Sequence, residues 1–139
     1  MIRVRTAHAE LSLEEVADSL PGTGEVMASV GHCFAMAAHA CREGAWELGA
    51  YYLRRTRSLL RGLALTRPKY GVQLGDYDRV HLEGLYRAVL DRDLAAFAER
   101  YQAATDAANA YHVDTGHAYI RWSCPAEPPE KGLDLSGRG

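Results

Sequence analysis

The sequence predicts an all-α protein, an antiparallel four-helix bundle with a short N-terminal helix and an irregular C-terminal tail. Three observations carry that reading. Apolar residues recur at three- and four-residue steps through four long segments. The links between those segments are short and hold glycine, proline or capping residues. A chain of 139 residues supplies one hydrophobic core with little left for a second. The expected layout is a segment with a short helix over 1–22, the bundle core over 23–116, and a tail over 117–139 that packs back and then becomes mobile.

Ser12 and Glu15 are spaced as a capping box, with Leu11 and Val16 placed as a hydrophobic staple. A short helix therefore starts there, and Pro21-Gly22 ends it. Thr23 can cap the next helix, which runs to about Glu43 and stops at Gly44. Its apolar stripe is Val26, Val30, Phe34, Ala37 and Cys41. A helix from about Ala45 ends before Pro68, because the residue preceding proline disfavours helical geometry. Gly49, Leu53, Thr56, Leu60 and Leu63 form its inner face. The stretch 68–75, with two glycines, reads as a loop. Asp76 or Asp78 opens a further helix with Leu82, Leu85, Tyr86 and Val89 on one face. Asp91-Arg92-Asp93 reads as a break and a fresh cap. The last helix sets Phe97, Tyr101, Ala104, Ala108 and Tyr111 along one seam, with Gly116 as its C-cap. Four long helices with short connections make an up-down-up-down bundle. The end, Leu133 to Gly139, is expected to be mobile.

Composition narrows the functional classes. A hydrophobic share of 47% with 24% charged residues suits a soluble globular domain. The formal net charge of −2 offers no global attraction to nucleic acid or to an anionic membrane. No apolar run reaches the ~18 residues of a membrane-spanning helix. Met1 to Glu10 holds basic residues with no apolar stretch behind them, which is not the pattern of a secretory signal. Cys33, Cys41 and Cys124 are an odd number without a C-x-x-C pair, so free thiols in a reducing, cytoplasmic setting are expected. Signatures such as G-x-S-x-G, a phosphate-binding glycine loop or H-E-x-x-H are missing. If the protein is an enzyme, a cofactor carries the difficult chemistry.

Several stretches point to one family. They are Leu20-Pro21-Gly22-Thr23-Gly24-Glu25-Val26-Met27, then His32 followed by Trp46-Glu47-Leu48 and Ala50-Tyr51, then Arg67-Pro68-Lys69-Tyr70. The strongest is Asn109-Ala110-Tyr111-His112-Val113-Asp114-Thr115-Gly116-His117-Ala118-Tyr119-Ile120. Over about Leu20 to Leu135 the chain resembles bacterial c-type cytochrome-like four-helix proteins, which read roughly C-N-A-C-H-x-x-x-G-H-x-F-I at the last stretch. Ala108 and Tyr111 stand where the family's two haem-attaching cysteines stand. Neither can form a thioether, so the resemblance implies haem held without covalent links, as haem b. His112 matches the family's iron ligand. The family's export signal is also missing. Covalent haem attachment is extracytoplasmic in bacteria, so both absences fit a cytoplasmic cousin.

Beside the resemblance, the residues offer several donors. His112 follows the inner-face Tyr111, and an imidazole there can reach iron. Tyr111 can ligate through a phenolate or fill the volume a thioether would take. His117 can orient a propionate or turn the tail back. His32, Met36 and His39, at i, i+4 and i+7, share one face of the 23–43 helix and suit copper or zinc, or an axial position on haem. That face lies opposite the Val30-Phe34-Ala37-Cys41 stripe. The helix is therefore buried on two sides, for instance in a homodimer, or presents one face to a cofactor. Trp46, Tyr51, Tyr52 and Tyr111 are expected near the pocket. The run Arg54, Arg55, Arg57, Arg61, Arg67 and Lys69 is a solvated basic face, or lends one or two members, such as Arg54, to haem propionates. His81 reads as a boundary histidine. The structural alternative for His112 is a half-buried ring with a backbone partner, and for the His32–His39 face a partly solvated one.

Three functions follow. The first is a non-covalent haem protein with His112 as proximal ligand and His32 as sixth ligand or distal polar group, serving electron transfer or oxidation of a small-molecule substrate. The second is a copper- or zinc-binding bundle using His32, Met36 and His39. The third is a cofactor-free bundle that binds a small molecule or a protein. No nucleic acid and no membrane are expected as partners.

Overall fold

A computed structural model describes residues 2–136, so the part of the expected mobile end at 137–139 lies outside the described residues. The chain is mostly helical, with a small two-stranded sheet that the periodicity does not announce. Arg3–Arg5 (β1) and Glu10–Ser12 (β2) pair antiparallel, Val4 opposite Leu11. Thr6 closes the turn between them: its Oγ1 accepts from the backbone N–H of Ala9 at 2.9 Å. Ser12 then caps α1 (Leu13–Asp18) through the expected box. The Glu15 backbone N–H donates to Ser12 Oγ at 3.1 Å, and the Ser12 N–H donates to the Glu15 carboxylate at 2.9 Å. No residue from 2 to 29 is fully buried, so this segment adds little to the core.

The core begins with α2 (Thr23–Arg42) and α3 (Trp46–Thr66), the most extensively packed pair of elements. Gly44, at φ 82°, makes the left-handed turn between them that other residues resist. Gly49 faces Cys41 so closely that an added Cβ would collide with the thiol sulfur. The inner face of α3 is the expected one: Gly49, Leu53, Thr56, Leu60 and Leu63 are all buried.

The expected loop at 68–75 is helical instead. Pro68–Tyr70 form a 3₁₀ turn with proline at its start, which leads into α4 (Gly71–Tyr77). Glycine costs about 1 kcal/mol in a helix, and burying the inward side of Leu74 and Tyr77 outweighs it. Asp78–Leu82 then form a wider π turn before α5 (Glu83–Leu90). From Tyr77 to the fully buried Leu82 is a five-residue step, which an i→i+5 turn keeps on one face and an α-turn would not. Two charge-assisted bonds of 2.8 and 2.9 Å from Arg57 hold Asp78 at the start of that turn. After Arg92, at φ 53°, the Asp93 carboxylate accepts from the Ala96 N–H at 3.0 Å and caps α6 (Leu94–Asp114). Phe97, Tyr101 and Ala104 of α6 are buried, with Leu53, Met36, Leu82 and Leu85 among the most enclosed of the core.

The tail has no regular structure, yet it is specifically attached. Asn109 bonds the Trp122 backbone in both directions, donating to the Trp122 carbonyl at 3.0 Å and accepting from its N–H at 2.6 Å. The Trp122 ring lies on Gly31 of α2. His39 Nε2 lies 2.9 Å from the Pro125 carbonyl, and the Tyr52 hydroxyl donates to Glu130 at 3.1 Å. Leu133 and Leu135 lie half-buried against the core. The tail thus lies against His32 and His39 on the second face of α2, where the His32 side chain stays 40% exposed. No described helix is long and apolar enough to cross a membrane.

Candidate functional site

A cavity of about 480 Å³ opens between α2, α3, α4, α6 and the tail. Its walls are mainly apolar: Met27, Val30 and Phe34 from α2, Leu60 and Leu63 from α3, Leu74 and Tyr77 from α4. From α6 come Ala108, Tyr111 and His112, and from the tail His117, Ile120 and Trp122. The volume falls in the range of about 300–1,000 Å³ typical of small-molecule sites. It lies at the C-terminal end of α3 and the N-terminal end of α2, away from the tight Gly49–Cys41 apposition.

His112 is half-buried in this wall, its ring 6.5 Å from that of Trp122. Its Nδ1 is enclosed without a hydrogen-bond partner among the described residues. A buried polar atom left so costs about 1–3 kcal/mol, which marks the position as one that asks for an explanation. Nε2 is not among the enclosed unpartnered atoms. Burial lowers the pKa of the ring from 6.5, and the nearby His117 adds to that. The Ile120 backbone pulls the other way. The net direction favours a neutral imidazole, the form that binds metals.

Around it, Tyr111 meets Tyr77 edge to face at 6.1 Å, and burial raises the Tyr77 hydroxyl, which donates to the Ala104 carbonyl at 2.9 Å. The His117 backbone N–H donates to the His112 carbonyl at 2.7 Å, and its ring Nδ1 lies 3.1 Å from Thr115 Oγ1. Arg67 and Lys69 supply the cavity's cationic side. Arg67 Nε donates to Thr23 Oγ1 at 3.1 Å, and Lys69 Nζ sits 4.9 Å over the Tyr70 ring.

The structure therefore gathers His112, Tyr111, His117 and Ala108, and it does not bring the other expected site residues to them. Trp46 packs edge-on against Phe97 at 6.5 Å, and Arg54 reaches the Tyr86 hydroxyl at 3.3 Å; neither lines the cavity. His32 lies outside it as well, with Nε2 3.6 Å from Glu130 and its ring 6.2 Å from Tyr52, so it is no distal group for His112. Tyr51 is 45% exposed and Tyr52 belongs to the core. Met36 is 0% exposed inside the core, while His32 and His39 are turned to the tail; helical spacing aligned the three, but packing does not gather them. Among the described residues no group of three or more His, Cys, Asp or Glu is placed to hold a metal ion. Of the basic run, Arg67 and Lys69 reach the cavity, whereas Arg57 pairs with Asp78 and Arg55 lies over Tyr51 at 5.9 Å. Trp122 went unnoticed because an irregular tail has no periodicity to assign it a face. Comparison with protein-family models, curated proteins and solved structures finds no match to this chain.

Proposed function

We propose that the chain is an antiparallel four-helix bundle, formed by α2, α3, α4 through α5, and α6, that binds haem without covalent links in the cavity beside His112. On this reading it is a cousin of the bacterial c-type cytochrome-like four-helix proteins, adapted to a cytoplasmic setting in which Cys33, Cys41 and Cys124 stay free. The observation that carries the reading is His112: a ring whose pKa burial lowers, with an enclosed Nδ1 that has no hydrogen-bond partner among the described residues, on the wall of a mainly apolar cavity. Ala108 and Tyr111, the positions of the family's thioether cysteines, border the same space.

The residues fit the group. His112 would ligate the iron through Nε2, and Arg67 and Lys69 would face the propionates. Haem supplies one-electron or dioxygen chemistry when bound. The chain contributes mainly apolar walls, an imidazole whose pKa burial lowers, and the Tyr111–Tyr77 pair packed beside it. Titrating haemin into the purified protein should give a Soret band at one equivalent. His112→Ala should lose it, and added imidazole should restore it. A wild-type protein that stays colourless, or a His112→Ala variant with an unchanged band, overturns the reading. A colourless protein that still takes up an apolar dye would favour the cofactor-free alternative, to which the mainly apolar cavity also lends support.

A further inference from the structure

A second cavity of about 350 Å³ lies beyond Trp122, bordered by His32, Ala35, Tyr101, Ser123, Cys124 and Pro125. Phe34, Thr105 and Trp122 border both cavities, so what divides them includes side chains able to move. Two of the three are held. Phe34 stacks on Tyr101 at 4.2 Å, whose hydroxyl donates to the Phe34 carbonyl at 3.1 Å, and the Thr105 hydroxyl donates to the Tyr101 carbonyl at 3.0 Å. The Trp122 indole N–H, by contrast, donates to no described residue. Its backbone is pinned by Asn109, so a swing of the ring would leave the tail in place. It rests on Gly31, where a Cβ would come within 2.7 Å of Cη2 and 3.1 Å of Cζ3. A glycine there is what lets the indole lie down.

We propose that Trp122 is a gate between two chambers, and that small uncharged molecules reach the His112 cavity through the Cys124 chamber when the indole swings off Gly31. The ligand class follows from the two linings. The first cavity has Arg67 and Lys69 to receive an anionic group. The second has no lysine or arginine in its wall; it offers a thiol, an imidazole, hydroxyls and prolines. A larger anionic ligand seated from the first side thus leaves the second side free for a small neutral one. The gate stands on the two cavities alone and does not require haem.

Cys124 allows the second chamber to be plugged. Cys33 and Cys41 are 4% and 1% exposed, and burial pushes the Cys41 thiol up to about 12, so a bulky maleimide should label Cys124 selectively, as a single mass addition. Uptake of the neutral dye 1-aminoanthracene, followed by stopped-flow fluorescence, should slow by about twofold or more in the labelled protein, the first cavity's own opening remaining as a route. Trp122→Ala should fill faster than wild type, and Gly31→Ala, which displaces the ring end at the cost of one added methyl in the second chamber's wall, should do so too. Far-UV circular dichroism checks that both variants keep the fold. Equal filling rates with and without the plug, no acceleration in either variant, or slowing of maleimide-treated Cys124→Ser would overturn the gate.

Discussion

Gly49 and Gly62 lie in the same helix, and the same substitution should act on them with opposite sign. In both, replacing glycine by alanine gains about 0.8–1.0 kcal/mol of helix propensity. At Gly62 a Cβ would meet nothing within 4 Å, so that gain should appear in full. At Gly49 the Cβ would run into Cys41 Sγ, with the Ala37 carbonyl at 3.6 Å and the Cys41 nitrogen at 3.7 Å behind it. Cys41 is 1% exposed, so relief of the clash must come from within the packed α2–α3 contact. Overpacking of this kind costs about 1–3 kcal/mol. Because the propensity gain is common to both variants, their difference isolates the clash. At roughly 3–5 °C per kcal/mol for a chain of this size, Gly62→Ala should melt about 3–15 °C above Gly49→Ala. Adding Cys41→Ala to Gly49→Ala should recover part of the loss, because the two changes share one contact. Thermal unfolding followed by circular dichroism measures all four proteins. Equal melting temperatures for the two single variants would refute the close approach of α2 and α3. With it would go the view that these helices touch at this end and leave room for a cavity at the other.

Three further outcomes are expected. Arg57 holds the Asp78 carboxyl below its ordinary 3.8, so the pair stabilises the fold above that pH and loses its effect as pH falls through the lowered value. Asp78→Asn should therefore cost about 1–3 kcal/mol at pH 7 in urea unfolding, and the two proteins should converge at acid pH. His112 is lowered from 6.5, so as pH falls below that value the unfolded chain takes up the proton first and the fold loses stability until the folded value is passed. Proton NMR should place its midpoint below 6.5, and His112→Gln should flatten the decline in stability between neutral pH and pH 5; a midpoint at or above 6.5 contradicts the burial. Asn109→Ala removes both bonds to the Trp122 backbone and should cost about 1–3 kcal/mol, with Trp122 emission shifted to the red; unchanged emission would mean the tail is held by its other contacts alone.

The helices that carry a three-to-four step were legible because burial repeats at that step: Leu53, Thr56, Leu60 and Leu63 on α3, Phe97, Tyr101 and Ala104 on α6. Where the step changes, the pattern hides the structure. Gly71 and Gly75 read as loop punctuation although Leu74 and Tyr77 bring that stretch into the core as helix, and the five-residue step from Tyr77 to Leu82 needs a π turn. Strands of three residues fall below what alternation can detect. The site divides in the same way. Spacing set Ala108 and Tyr111 on the inner seam of the last helix, and His112, one position on, lines the same cavity. Trp46, Arg54 and His32 were misplaced because a helical wheel fixes the angle of a side chain and leaves open which end of the molecule, and which neighbour, it meets. The two apolar and polar faces of α2 posed the sharpest form of this question. Spacing set His32 and His39 on a second face of α2 but could not name what lies against them, and it is the irregular segment from Trp122 to Glu130. That segment has no period of its own, yet its Trp122 closes the wall of the His112 cavity. The least patterned part of the chain thus completes the wall of the cavity, because a tail held at Asn109 by two backbone bonds can place a large ring where a regular helix, bound to its own spacing, could not.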